Sequence, residues 1–142
     1  MMQKEKLVNT IETDKAIVGL REDGIYHVYY KPNTEITVEL QAEMHKIFRE
    51  LTGGKKGYFI FQAGEYVSVT SEARINAVKT EEDSYTCATV VYVNNLAYKL
   101  IAEFYYKFNK PKQPYKVSSD FNKGIQWLLD LRKEVEEKVQ IN

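Results

Sequence analysis

The sequence contains one cysteine, two histidines and one tryptophan among its 142 residues. The single Cys87 excludes an intramolecular disulfide, and with His27 and His45 in different predicted elements no multi-residue metal site is indicated. Twenty basic and twenty acidic residues cancel, so no overall positive field would attract nucleic acid or an anionic membrane. We therefore expect no metal, no cofactor and no nucleic-acid partner.

Long apolar runs are also missing. The first ten residues, MMQKEKLVNT, lack the apolar core of a signal peptide, and no run approaches the roughly 20 residues that span a bilayer. We expect a cytoplasmic protein without membrane insertion. The length fits one domain, residues 1–142, with a core over about residues 16–131 and a charged helical tail over residues 132–142.

The first part of the chain is predicted to form antiparallel strands. Residues 6–13 and 16–22 read as strands, and Asp23-Gly24 is a strong turn signal before residues 25–30, IYHVYY, which alternate in polarity. A hairpin is therefore expected, with the first segment as a candidate third strand.

Helices and strands alternate in the rest of the chain. Apolar runs such as GYFIFQ and TCATVVYV are typical of strands buried on both faces, and a strand followed by a crossover helix indicates a parallel sheet. The predicted fold is α/β, with a single small mixed sheet, an antiparallel start, parallel later strands and about four helices. Helices are predicted over residues 37–51, 70–79, 94–109 and from residue 118, and strands over residues 57–62, 86–93 and 115–117.

Two of these helices carry predictions about packing. Ala73 and Ala77 are among the small residues of the second helix, so that helix is expected to lie close against the sheet. The last helix is expected to bury one apolar face. That face comprises Phe121, Ile125, Leu128, Leu129, Leu131 and Val135.

No catalytic arrangement stands out. The sequence GGKKG at residues 53–57 lacks the phosphate-loop spacing and precedes a strand. No serine, histidine and acid combine around a nucleophile elbow, and Glu103 and Asp120 have no identifiable carboxylate partner. Lysines interleaved with aromatics at residues 106–116 are interpreted as the solvated edge of a helix and loop. We therefore expect a protein that is not an enzyme.

The order of elements resembles the STAS fold of anti-sigma-factor antagonists, which is shared by small bacterial proteins described as STAS-like or CRAL-TRIO-like. The segments SVTSEARINAV (residues 68–78) and VNNLAYKLIAEFYYKFNKPKQPYKVSSDFNKGIQWL (residues 93–128) are similar to an uncharacterised family, mostly from the Bacteroidetes. The resemblance covers about residues 16–131. It implies a fold and says little about activity.

In the antagonists, a serine at the start of the helix after the central strand is phosphorylated within an Asp-Ser-Ser-Gly type motif. The matching residues here are Ser68, Thr70 and Ser71, in VSVTSEA, which lacks both the aspartate and the glycine. A phosphate at a helix N-terminus is electrostatically reasonable, but Glu72 would repel it. Ordinary helix capping is the favoured interpretation of these hydroxyl groups.

The leading hypothesis is therefore a non-enzymatic, STAS-like regulatory module that binds an unknown protein partner. Proteins with an open parallel sheet tend to bind their ligands at the carboxyl ends of the strands. The candidate partner surface at that edge comprises Glu65, Tyr66, Ser68, Thr70, Ser71 and Asn94.

Two further hypotheses stay open. The wide apolar arc of the helix over residues 94–109 suggests a carrier of a small apolar or lipid-like ligand, although a domain of this size leaves little room for a pocket of several hundred Å3. The eleven tyrosines also suggest a homodimer. Its candidate self-association surface is Tyr98, Tyr105 and Tyr106.

Overall fold

The computed structural model describes the backbone of residues 7–141 and the side chains of residues 7–103 and 110–139. The described part is α/β, as predicted, with strands first and then alternating helices and strands. The strands are β1 (Leu7–Glu12), β2 (Ala16–Arg21), β3 (Tyr26–Tyr30), β4 (Glu35–Ile36), β5 (Gly57–Ala63), β6 (Ser68–Val69), β7 (Thr86–Tyr92) and β8 (Tyr115–Ser118). The helices are α1 (Val38–Thr52), α2 (Ser71–Lys79), α3 (Leu96–Asn109) and α4 (Phe121–Ile141).

The main sheet has six strands in the order β1-β2-β3-β5-β7-β8. The first two pairings are antiparallel and the following three are parallel. This confirms the predicted mixed sheet with an antiparallel start. Because β3, β5, β7 and β8 run in the same direction, their carboxyl ends lie at one edge of the sheet.

Local signals fix the ends of α1. The Thr37 hydroxyl accepts a hydrogen bond from the Leu40 amide at 3.1 Å, which is the usual N-cap arrangement. Gly53 then has φ 66°, a left-handed conformation that glycine adopts at low cost. Both the predicted cap and the predicted glycine stop are confirmed.

Two apolar clusters lie on opposite faces of the sheet and meet at β5. Phe59 belongs to the cluster beneath α1, with Val28 and Met44. Ile60, the next residue, belongs to the cluster beneath α4, with Val90 and Leu128. Alternation along a strand explains how one strand supplies both clusters.

One packing prediction was wrong, and a second was wrong at one residue. The helix α2 rests on α1 and buries only Ala73, so its small residues do not bring it close to the sheet. The helix α4 buries Ile125 and Leu128, but Val135 is 51% exposed. By Val135 the helix has continued beyond the second apolar cluster, which ends with Leu131.

A second, two-stranded sheet was not predicted. The short strands β4 and β6 pair in parallel beside the main sheet. Backbone bonds from Asn33 N–H to the Glu65 carbonyl (2.8 Å) and from Ser68 N–H to the Thr34 carbonyl (3.0 Å) hold the two loops together. Strands this short give no periodic signal, so the sequence could not reveal them.

Candidate functional site

An open cleft of about 420 Å3 lies between α1, α2 and the sheet, and we call it the α1–α2 cleft. Its two helical walls carry Gln41, Met44, His45 and Phe48 from α1, and Ala73, Arg74, Ala77 and Val78 from α2. The strands contribute Tyr30, Phe61, Thr86 and Thr89, and the loop before β8 contributes Pro111, Gln113 and Pro114. Residues from distant parts of the chain therefore share one concave surface.

The position of α2 creates this space. The Gln41 side chain of α1 donates a hydrogen bond to the Ala73 carbonyl at 2.8 Å, and its oxygen accepts one from the Asn76 side chain at 2.9 Å. These two bonds tie α2 to α1 along one side. Ala73 is buried at this contact, whereas Ala77 is exposed and lines the cleft.

Part of the cleft lining is apolar. The Phe48 ring packs edge-on against Phe61 with centroids 6.2 Å apart, and Met44 and Val69 also line this part. Val69 belongs to the unpredicted strand β6 and is 41% exposed. An apolar surface with a few polar groups around it is the usual composition of a small-molecule site.

The end of the cleft beyond α2 is polar. The Oε1 atom of Glu81 accepts hydrogen bonds from the backbone amides of Lys112 and Gln113, at 2.8 and 3.0 Å. The Gln113 side-chain oxygen in turn accepts a bond from the Thr86 hydroxyl at 3.1 Å. This network holds the loop before β8 against the short 3-10 helix Glu81–Asp83.

Tyr30 and Arg74 also line the cleft. Tyr30 is the last residue of β3, and burial raises the pKa of its hydroxyl well above the ordinary value. Its ring therefore carries a neutral hydroxyl throughout the physiological range. Arg74 lies in the first turn of α2, where its guanidinium donates to the Ser71 hydroxyl at 3.1 Å.

The helix α3 contributes none of its described side chains to the cleft. Its residues Leu96, Leu100 and Ile101 are 71%, 58% and 51% exposed. The apolar arc that the sequence indicated therefore exists, but its described part faces away from the core. At the start of this helix, the Asn95 side-chain oxygen accepts a hydrogen bond from the Ala97 amide at 2.8 Å.

The structure places half of the predicted partner surface on the loop between β5 and β6 and at the first residue of β6. Glu65, Tyr66 and Ser68 are all exposed. Tyr66 is 72% exposed and has φ 61°, a left-handed conformation that is uncommon for a large side chain. This strain marks the loop as unusual, which the sequence did not indicate.

The other predicted surface residues have identifiable surroundings. The Thr70 hydroxyl accepts from the Ala73 amide at 3.1 Å, which confirms helix capping at this position. Ser71 and Asn94 are exposed. Tyr98 is 44% exposed, whereas the side chains of Tyr105 and Tyr106 lie outside the described residues.

Residues 7–103 and 110–139 contain no group of three histidine, cysteine or acidic side chains that could hold a metal ion. The Cys87 thiol donates to the Gly57 carbonyl at 3.2 Å, and burial raises its pKa, so it stays protonated and unreactive. No described helix is both long enough and apolar enough to span a bilayer.

Comparison with known families adds one result. A family model matches residues 19–132, which is most of the chain. The chain belongs to this family, described as a domain of unknown function (DUF7793). The DUF7793 match includes every residue that lines the α1–α2 cleft. No curated protein and no solved structure matches the chain. The resemblance to STAS and CRAL-TRIO proteins stays a prediction.

Sequence reasoning missed the cleft because its walls depend on distances between helices. Periodicity identified Met44 and Phe48 as the apolar face of α1, but it could not show that part of this face borders an open space. The available signal was the small size of Ala73 and Ala77 in a helix that follows a buried strand. We interpreted it as close packing, and the opposite arrangement is observed.

Proposed function

We propose that this domain binds a small, largely apolar ligand in the α1–α2 cleft and acts by binding rather than catalysis. The observation that supports this proposal is the cleft itself. Its volume of about 420 Å3 falls within the range of roughly 300–1,000 Å3 that small-molecule sites occupy. Its lining combines apolar side chains such as Met44, Phe48 and Phe61 with polar ones such as Gln41 and Thr89.

This proposal favours the hypothesis that the sequence placed second. The objection to a ligand carrier was that a chain of 142 residues has too little apolar surface to spare. That objection was wrong, because the two apolar clusters use the central strands and the inner faces of α1 and α4. The surface between α2 and the strands β5 and β7 is left over, and it forms the cleft.

A cleft-filling substitution tests the proposal. Ala77 lines the cleft and is exposed, so Ala77→Trp would occupy the space without disturbing either apolar cluster. We expect the wild-type protein to bind an apolar fluorescent dye such as anilinonaphthalene sulfonate at one site, and Ala77→Trp to lose that binding. Ala42→Trp, on the exposed side of α1, is the matched control and should bind as the wild type does.

Melting temperatures of the three proteins should agree within a few degrees. Absence of dye binding to the wild type, or equal binding by Ala77→Trp and Ala42→Trp, would contradict the proposal. Extraction of the purified protein with organic solvent, followed by mass spectrometry, gives an independent measurement. A stoichiometric amphipathic molecule is the expected result.

A second candidate function is protein binding at the predicted partner surface. The observation that favours it is Tyr66, a large aromatic side chain that is exposed and held at φ 61°. A strained backbone of this kind costs on the order of 1 kcal/mol and is found most often at binding or catalytic positions. An exposed tyrosine is also a frequent anchor in interfaces.

The substitution Tyr66→Asn tests this candidate, since asparagine tolerates the left-handed conformation. A protein captured by the wild-type domain should be lost with Tyr66→Asn. Lys110 is another exposed residue with positive φ, at 40°, so Lys110→Asn is the matched control and should retain the partner. Equal capture by all three proteins would exclude Tyr66 as an anchor. Phosphorylation of Ser68, Thr70 or Ser71 stays a prediction, to be checked by intact-mass measurement.

A further inference from the structure

We propose that α3 and the loop after it form a docking surface for an anionic lipid membrane, with the helix lying flat on the bilayer surface. This surface is distinct from the α1–α2 cleft, so the proposal goes beyond ligand binding and does not depend on it. Three features of the molecule support it, namely the exposed apolar side of α3, the positive charge of the segment around that helix, and the length of the helix.

The N-terminal half of α3 turns its apolar side outward. Leu96, Leu100 and Ile101 are 71%, 58% and 51% exposed, whereas the charged residues Lys99 and Glu103 are half-buried. A helix on the surface of a globular domain normally turns its apolar side to the core and its charged side to water. The reverse arrangement is the one expected of a surface that contacts something outside the domain.

The exposed apolar side chains share one side of the helix. Leu96 and Leu100 are four positions apart and therefore lie next to each other along α3. Ala97 and Ile101 repeat this spacing one position later, and both are exposed. Tyr98 is 44% exposed and adds a ring with a polar hydroxyl, a type of side chain that concentrates at membrane–water interfaces. This side of α3 therefore suits the boundary between lipid head groups and acyl chains.

The segment around α3 is strongly basic, although the whole chain is neutral. Residues 94–119 contain one acidic residue, Glu103, and five lysines: Lys99, Lys107, Lys110, Lys112 and Lys116. Five positive charges and one negative charge give this segment a net charge of +4, and the rest of the chain has −4 because the total is zero. Each lysine close to an anionic bilayer raises the affinity about fivefold. The charge of the molecule is therefore distributed so that one side is attracted to anionic lipid.

Two of the lysines after α3 are available to lipid head groups. Lys110 is exposed and forms no ion pair with a described residue. Lys112 lies 3.5 Å from Glu82, but both side chains are 82% exposed, so water and salt weaken this pair. Lys116 instead lies over the Trp127 ring, 5.9 Å from its centroid. Because lysine stems are long and flexible, the first two ammonium groups can reach phosphate groups beside the helix.

A lipid surface fits these features better than a protein partner does. Lysine is depleted in the interfaces between proteins, whereas lysines beside an apolar helix side are typical of helices that lie on membranes. The helix α3 has 14 residues, which corresponds to roughly 20 Å along its axis. This length is less than the thickness of the apolar core of a bilayer, so the helix axis lies along the membrane surface rather than across it.

Flotation of the whole chain with lipid vesicles tests the proposal. Vesicles of phosphatidylcholine that contain one quarter phosphatidylglycerol are compared with vesicles of phosphatidylcholine alone. The wild-type protein should bind the anionic vesicles about 25-fold more tightly than the neutral ones, as expected for two lysines at the surface. High salt should remove this difference, because it screens the attraction between exposed charges.

Matched substitutions separate the apolar and the charged contributions. Leu96→Gln should weaken binding to the anionic vesicles about tenfold. Val139→Gln is its control, because Val139 of α4 is also 71% exposed, and this variant should bind as the wild type does. Lys110→Gln should weaken binding about fivefold, whereas Lys133→Gln, on the exposed side of α4, should leave it unchanged.

Absence of binding, equal binding to the two kinds of vesicle, or equal effects of Leu96→Gln and Val139→Gln would overturn the proposal. It would also be overturned by a dimer that sedimentation detects in the wild type and not in Leu96→Gln, together with no vesicle binding, since a second copy of the chain would then cover the apolar side of α3. Dye binding at the α1–α2 cleft is measured without vesicles, so failure of the ligand-binding proposal and failure of membrane docking are distinguishable.

Discussion

The Nε2 atom of His27 lies 3.0 Å from the side-chain oxygen of Gln62, on the face of the sheet that α4 covers. An amide oxygen can only accept, so Nε2 carries the proton in the neutral ring. The imidazole is 4% exposed and packs on Phe121 with centroids 5.1 Å apart. Burial lowers the pKa of His27 to about 4, and the positive charge of Arg21 also lowers it, whereas the bond to Gln62 acts in the opposite direction.

The stability of the domain should therefore fall as the pH is lowered from about 6.5 towards 4. The folded protein keeps His27 neutral in this window, while the unfolded chain takes up a proton near pH 6.5. The stabilisation is fully present above pH 6.5, and its loss should reach about 3 kcal/mol near pH 4. Urea unfolding at a series of pH values measures this effect. His27→Gln should flatten the dependence and His45→Gln should preserve it; an unchanged slope in His27→Gln would contradict the assignment.

Removing the link between α1 and α2 should destabilise the protein and distort the cleft. Gln41→Ala leaves both the Ala73 carbonyl and the Asn76 side chain without their present partner. We expect a loss of about 1–2 kcal/mol in the free energy of unfolding, together with weaker dye binding. Gln126→Ala is the control, since its bond to Asp130 is exposed. Stability and dye binding that are unchanged in Gln41→Ala would show that α2 is held by other contacts.

Gly124 allows the close approach of α4 to the sheet. A Cβ atom there would lie 2.9 Å from Val90 Cγ1 and 3.6 Å from Ile60 Cδ1. Alanine normally favours a helix over glycine by about 1 kcal/mol, but here overpacking against a stiff β-branched side chain should prevail. We expect Gly124→Ala to lower stability by about 1–2 kcal/mol, measured by thermal and urea unfolding. Asn122→Ala, on the exposed side of α4, should have little effect, and stabilisation by Gly124→Ala would show that α4 can shift freely.

The bonds of Glu81 should be detectable by hydrogen exchange. Glu81→Gln removes the negative charge that the amides of Lys112 and Gln113 share, so these two amides should exchange about tenfold faster, as expected for the loss of about 1.4 kcal/mol of protection. The neighbouring Glu82 pairs with the Lys112 ammonium at 3.5 Å, with both side chains 82% exposed. Glu82→Gln should therefore leave the exchange of both amides unchanged. Identical exchange in the two variants would exclude Glu81 as the tether.

The fold was predictable wherever a single element carries its own signal. The Asp23-Gly24 turn, the Thr37 cap and the Gly53 stop act on neighbouring residues, and all three are observed. The strands β5 and β7 were recognisable because strands buried on both faces have nearly continuous apolar sequences. These signals depend on chemistry within a few residues of chain.

The candidate site was much less predictable, because it arises between elements. The bond from Gln41 to Ala73 joins residues 32 positions apart, and no local pattern in a polar helix surface indicates such a partner. The placement of Ala77 shows the same difficulty, since a small residue is equally compatible with close packing and with an open cleft. The strain at Tyr66 depends on backbone bonds between two loops, which the sequence does not reveal.

The position of α4 as the last of the described elements has a consequence for biosynthesis. The face that carries Ile25, Ile60 and Val90 is covered by α4, the last of the described elements to be made. At typical translation rates of roughly 5–20 residues per second, the segment after β5 takes on the order of seconds to emerge. During that interval this apolar face lacks its cover, so the incomplete chain should be more prone to aggregate than the finished domain.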